Sequence, residues 1–157
     1  MEPTGPPTAR QQPSSGRPPS GRSLVVLDDG ECWTLLRSGR LGRLVYTDGA
    51  LPAVAPVSYA VVGEAVVLAL ASGGQVATAA RGCVVAFEVD DTDQESRTGW
   101  SVTAVGPAQL VDDPHLAARL RDEGLVPWVS SATATYLSVA VRVLSGRRLV
   151  QTPRAGG

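Results

Sequence analysis

Between Leu41 and Leu149 the chain passes through short apolar stretches rich in Val, Ala and Leu, each closed by Gly, Pro or acidic residues. Runs of this length and composition read as strands. The pattern predicts strands over Leu41–Thr47, Leu51–Val62, Ala65–Ala71, Cys83–Val89, Trp100–Val111 and Thr135–Leu144. Asp48-Gly49 is a hairpin turn and Gly63-Glu64 makes the next, so the first three strands form an antiparallel meander. Pro52 and Pro56 mark an edge or a bend, and Gly106-Pro107 a bulge or bend further on. Cys83–Val89 is apolar almost throughout and reads as a central buried strand.

Helical periodicity surfaces in three places. Asp28 and Glu31 form a capping box ahead of Cys32, Leu35 and Leu36, which share one face, and Gly39 ends the helix. Gln75–Ala80 is a short alanine-rich helix ended by Gly82, and Asp112–Gly124 is a third, with Pro114 in its first turn. Six strands and three short helices cannot supply a helix for every parallel crossover. The fold class expected is mostly β, a six-stranded antiparallel barrel with short peripheral helices.

Composition narrows this picture. Residues 1–23 contain no aromatic or branched apolar side chain and are dominated by Pro, Gly and Ser, so they read as a disordered tail. The folded domain is expected over residues 24–149, with a flexible C-terminal tail over 150–157. A net charge of −1 gives no sign of nucleic acid or an anionic membrane as partner, and no apolar run has the length of a membrane span. Cys32 and Cys83 are too few for a disulfide framework and lack metal-ligand spacing; each reads as a small core residue of a cytosolic protein. Asp90–Glu95 reads as a solvated acidic loop, since it lacks the glycine turn of a calcium site. With His115 the single histidine, no Ser–His relay is apparent, and no catalytic residue can be named. Trp128, after Pro127, either caps a pocket mouth or seals the core.

Ser72-Gly73-Gly74-Gln75 joins a strand to a helix, a turn of the kind that often cradles phosphate on free helical N–H groups. Yet the only nearby cation is Arg81, at the far end of that helix.

The order of elements, with Gly42-Arg43-Leu44, Pro56-Val57-Ser58-Tyr59, Val85–Asp90, Thr98–Val102 and Gly146-Arg147-Arg148, resembles the pyridoxamine 5′-phosphate oxidase-like, FMN-binding split-barrel family. The resemblance implies a six-stranded split barrel, a homodimer, and a bound FMN (or, in some branches, a deazaflavin) that transfers hydride to a small-molecule ligand. It implies that Pro56, Val57, Ser58 and Tyr59 lie along the flavin ring, and that Ala69, Leu70, Ser72, Gly74 and Gln75 face the ribityl phosphate. Trp100 and Ser101 would come from a neighbouring strand or the partner subunit. The family pattern has Arg-Thr where this chain has Ala69-Leu70, and Lys where it has Gln75. Charge-assisted bonds to phosphate are worth about 1.5–3 kcal/mol each, so losing two weakens FMN by roughly two to four orders of magnitude. Arg147 or Arg148 is a candidate to compensate. The alternative expectation is a cofactor-independent barrel that binds or transforms a neutral ring-containing metabolite at the dimer interface.

Overall fold

The Asp28 carboxylate accepts the Glu31 N–H at 2.8 Å while Glu31 Oε2 accepts the Asp28 N–H at 3.1 Å, which fixes the start of helix α1 (Asp29–Ser38). The computed structural model describes residues 21–152; residues 1–20, and 153–157 of the expected C-terminal tail, lie outside it. Strands β2 (Leu41–Asp48), β3 (Leu51–Val62) and β4 (Ala65–Ala71) form the meander, paired in sequence. A short helix α2 (Gln75–Ala80) leads to β5 (Val84–Asp93), which pairs with β2 and with β6 (Thr98–Leu110). After α3 (Pro114–Asp122), β7 (Ala134–Ala140) returns beside β4.

β6 closes the barrel by serving two partners. Its residues Ala108–Leu110 pair with β7, while Gly99–Val105 pair with β8 (Val143–Gln151). The ring therefore runs β6-β5-β2-β3-β4-β7 and back to β6, and β8 flares away from it carrying β1 (Arg22–Val26). This is the six-stranded split barrel expected. Gly106 is the hinge of the split: a Cβ there would lie 1.8 Å from the Ala140 carbonyl oxygen. The backbones of β6 and the β7–β8 corner can meet only over a residue without a side chain.

Four local expectations are corrected. Thr135–Leu144 is two strands, because at Val141-Arg142 the chain leaves β4 for the other half of β6; the Arg142 N–H donates to the Val105 carbonyl at 2.9 Å. Asp90–Asp93 belongs to β5, pairing with Thr98–Ser101 in a ribbon beyond the barrel, where neither face requires apolar residues. β1 was not foreseen, and its five residues are all exposed, so no amphipathic signal marks it. Cys83 is exposed at the turn before β5, whereas Cys32 is buried under α1.

The main core fills the barrel with Leu44, Val57, Tyr59, Leu68, Phe87, Val102 and Leu137, and α1 closes one end with Cys32 and Leu36. A second, smaller core lies outside the barrel wall, where Val67, Ala69 and Tyr136 pack under Leu120 and Leu125. The outer face of the other strands is apolar in one row. Val143, Val105, Ala86, Val45 and Val54 are successive cross-strand neighbours on β8, β6, β5, β2 and β3. Val143 is 59%, Val45 36% and Val54 61% exposed. β5 is thus buried on one face only, which corrects its reading as a strand covered on both.

Candidate functional site

A cavity of about 160 Å³ opens where β3 and β4 meet α2 and the loop after α3. Pro56 and Val57 from β3 and Ala69 and Leu70 from β4 form its walls, Gly74 and Val76 its α2 side, and Pro127, Trp128 and Val129 its outer lip. Alternation along the strands explains the mixture: Val57 and Leu70 belong to the barrel core, while Ala69 belongs to the core outside the wall. No lining side chain is titratable, so polar contacts here come from backbone groups and the Trp128 indole. Walls of this kind accept a flat apolar ring and contribute no acid or base.

The remaining expected site residues are placed elsewhere. Ser58 is half-buried on the outer face of β3, paired with Leu41 and Ala69. Tyr59 points into the barrel, stacks at a tilt on Phe87 with ring centroids 4.7 Å apart, and donates its hydroxyl to the Leu36 carbonyl at 2.6 Å. Burial pushes its phenol up to about 12, so it stays a neutral donor. Ser72 and Thr135 share a hydroxyl–hydroxyl hydrogen bond of 3.1 Å. Gln75 donates its amide to the Asp48 carboxylate at 2.5 Å.

Trp100 and Ser101 line a different hollow, of about 250 Å³, with Leu24, Asp90, Arg147 and Leu149. It shares no lining residue with the first cavity. Beside it Arg43 bridges Glu88 at 3.0 Å and Asp90 at 2.7 Å. Arg148 lies 3.6 Å from Glu31, away from both cavities' linings.

The lining therefore suits an apolar ring, and positions 69, 70 and 75 offer no cation to a phosphate. Ala69 and Leu70 are buried at 1% and 5% exposure with no polar side-chain atom to offer, and the Gln75 amide is held by a carboxylate. Sequence reasoning left Trp128 between two roles, and its 59% exposure at the cavity lip places it in the first of them. Val76 and Val129 were missed, because an isolated valine in a helix or loop has no pattern to mark it.

A split barrel with an apolar slot between β3, β4 and α2 has the architecture of a small-molecule-binding protein. Residues 28–148 match the family described as pyridoxamine 5′-phosphate oxidase, and the chain belongs to that family. It is 40% identical over 142 residues to the uncharacterised Mycobacterium tuberculosis protein Rv0080, covering 87% of this chain and 93% of that one. The solved structure of the FAD-binding protein from Mycobacterium smegmatis is 34% identical, with a TM-score of 0.67, covering 79% of this chain and 98% of that one. An FAD-binding protein from Mesorhizobium loti shares the fold at 23% identity and a TM-score of 0.65, covering 83% of this chain and 99% of the other.

Proposed function

We propose that this chain is a flavin-dependent oxidoreductase, acting as a homodimer on a small organic molecule, and that it holds its flavin as FAD in preference to FMN. The observation that carries this reading is the apolar, uncharged cavity of Pro56, Val57, Ala69 and Leu70. FMN ends in a phosphate monoester of about −1.5 to −2 charge at neutral pH, a group that calls for concentrated positive charge. Positions 69, 70 and 75 offer none. FAD carries about one negative charge on each of two phosphates, so the charge at the end of the ribityl chain is less concentrated than in FMN and depends less on a single cationic cradle. The FAD binding of the Mycobacterium smegmatis relative supports the same choice.

A bound flavin supplies hydride transfer. The chain's own part is to hold the ring against Pro56 and Val57 and to shield it with Trp128. A second copy across the exposed valine row would unite the Trp100–Ser101 hollow with the cavity, which the single chain keeps apart. The test is the visible spectrum of the purified protein, followed by titration with FAD, FMN, a deazaflavin and riboflavin. FAD binding at least tenfold tighter than FMN is expected; equal or weaker FAD binding rejects the FAD form.

A second reading is favoured by one contact, the Asp48 carboxylate drawn to Gln75 where the family pattern has lysine. An anion there repels phosphate and suits a cofactor-independent barrel that binds a neutral polycyclic metabolite. In a thermal-shift screen, stabilisation by such compounds with no response to any flavin selects this reading.

A further inference from the structure

The cavity has a polar neighbour. A hollow of about 180 Å³ lies between α2, β6 and β7, and both compartments are lined by Gly74. Arg81, Thr78, Thr135 and Leu110 complete much of its wall, and no carboxylate lines it. Among the described residues, no carboxylate lies within ion-pair distance of Arg81. Thr135 is bonded to Ser72, and that pair of hydroxyls uses one proton between them and keeps the other to donate. Thr78 holds the Gly74 carbonyl by a long bond of 3.3 Å, which a stronger acceptor would displace. Gly73, at φ +72°, has nothing within 4 Å of where a Cβ would stand, so the approach along the turn is open.

We infer that this hollow is the oxyanion compartment of the ligand site, with Arg81 as its cation and Thr135 and Thr78 as its hydroxyl partners, Thr135 being oriented by its bond to Ser72. It takes a phosphate or pyrophosphate group whose ring-bearing portion occupies the apolar cavity across Gly74. The inference rests on the ligand being a flavin only as regards the ring; the oxyanion chemistry is independent of it. A cation at the C-terminal end of α2 thereby substitutes for the charge missing at positions 69 and 75. An arginine fork matches phosphate geometry, so its removal should be felt by the phosphate alone.

The experiment measures binding of riboflavin, FAD and inorganic pyrophosphate to the full chain and to the Arg81→Gln and Arg81→Lys variants. Arg81 is exposed, so neither substitution threatens folding. The expected result is a loss of about tenfold or more in FAD and pyrophosphate affinity in Arg81→Gln, partial recovery in Arg81→Lys, and unchanged riboflavin binding. If no flavin binds but pyrophosphate binds in an Arg81-dependent way, the compartment stands and the flavin reading falls. If FAD binds as tightly to Arg81→Gln as to the natural chain, or pyrophosphate binding ignores Arg81, the compartment is overturned whatever becomes of the flavin. Failure of pyrophosphate and all flavins to bind overturns both.

Discussion

Tyr59 stands on a strand among residues that the family resemblance lays along a ring, yet its hydroxyl is spent on the Leu36 carbonyl in the last turns of α1. It ties the helix to the barrel. Replacing it with phenylalanine leaves a buried helix carbonyl without a donor, a loss of about 1–3 kcal/mol. The pH dependence has a defined sign. The folded phenol titrates at about 12, against about 10 for an unfolded tyrosine. Between those values the unfolded chain has released its proton and the folded chain has not. The contribution is therefore intact below pH 10 and is lost as pH rises towards 12, by about 2–3 kcal/mol. Urea denaturation at pH 8 and pH 11 checks both points: Tyr59→Phe should be weaker than the natural chain at pH 8 and decline less at pH 11. Burial raises the Tyr136 phenol as well, so some alkaline decline should persist in the variant.

At the scale of elements, β6 decides whether the barrel closes. Gly106 lets one strand pass from β8 to β7, and its Cα faces the Ala140 carbonyl at a distance no Cβ tolerates. Gly106→Ala forces backbone against backbone, which a flexible side chain cannot relieve. A loss of about 3 kcal/mol or more, or failure to accumulate as folded protein, is expected and is read from urea midpoints and near-ultraviolet circular dichroism. Gly106-Pro107 was legible in the sequence as a bend, and so were the meander turns and the capping box of Asp28 and Glu31, because each is a local signal. What was not legible depends on distant partners. Nothing at Val141-Arg142 announces a change of neighbour, since the apolar run continues through it. β1 is exposed on every residue and exists only by pairing with β8. Likewise Pro56, Val57, Ala69, Leu70 and Gly74 converge on one cavity as a group, while Trp128 and Arg81 join their compartments from elements whose packing no periodicity encodes.

At the scale of the whole molecule, the valine row is the feature that a lone chain does not account for. Five strands at about 4.8 Å spacing make an apolar band about 20 Å long, narrow enough to form only the apolar centre of an interface whose remaining area comes from the rows on either side. The rows beside it carry Arg43 and Arg147 against Glu88 and Asp90, two charges of each sign, so approach of another copy meets no net charge there. A self-complementary face of this kind favours a two-fold dimer. The proposed dimer predicts that the natural chain sediments as twice its 16.2 kDa mass. Val54 is 61% exposed and reaches no buried partner, so Val54→Arg should change chain stability by less than about 0.5 kcal/mol. Two arginines brought towards a shared apolar band should nonetheless drive the variant to monomer at micromolar concentration. If the flavin site needs both copies, FAD affinity should fall at least tenfold in the same variant, although Val54 does not line the cavity. Sedimentation equilibrium and FAD titration on one preparation separate the cases. A monomeric natural chain rejects the dimer, and a monomeric variant that keeps full FAD affinity confines the site to a single barrel.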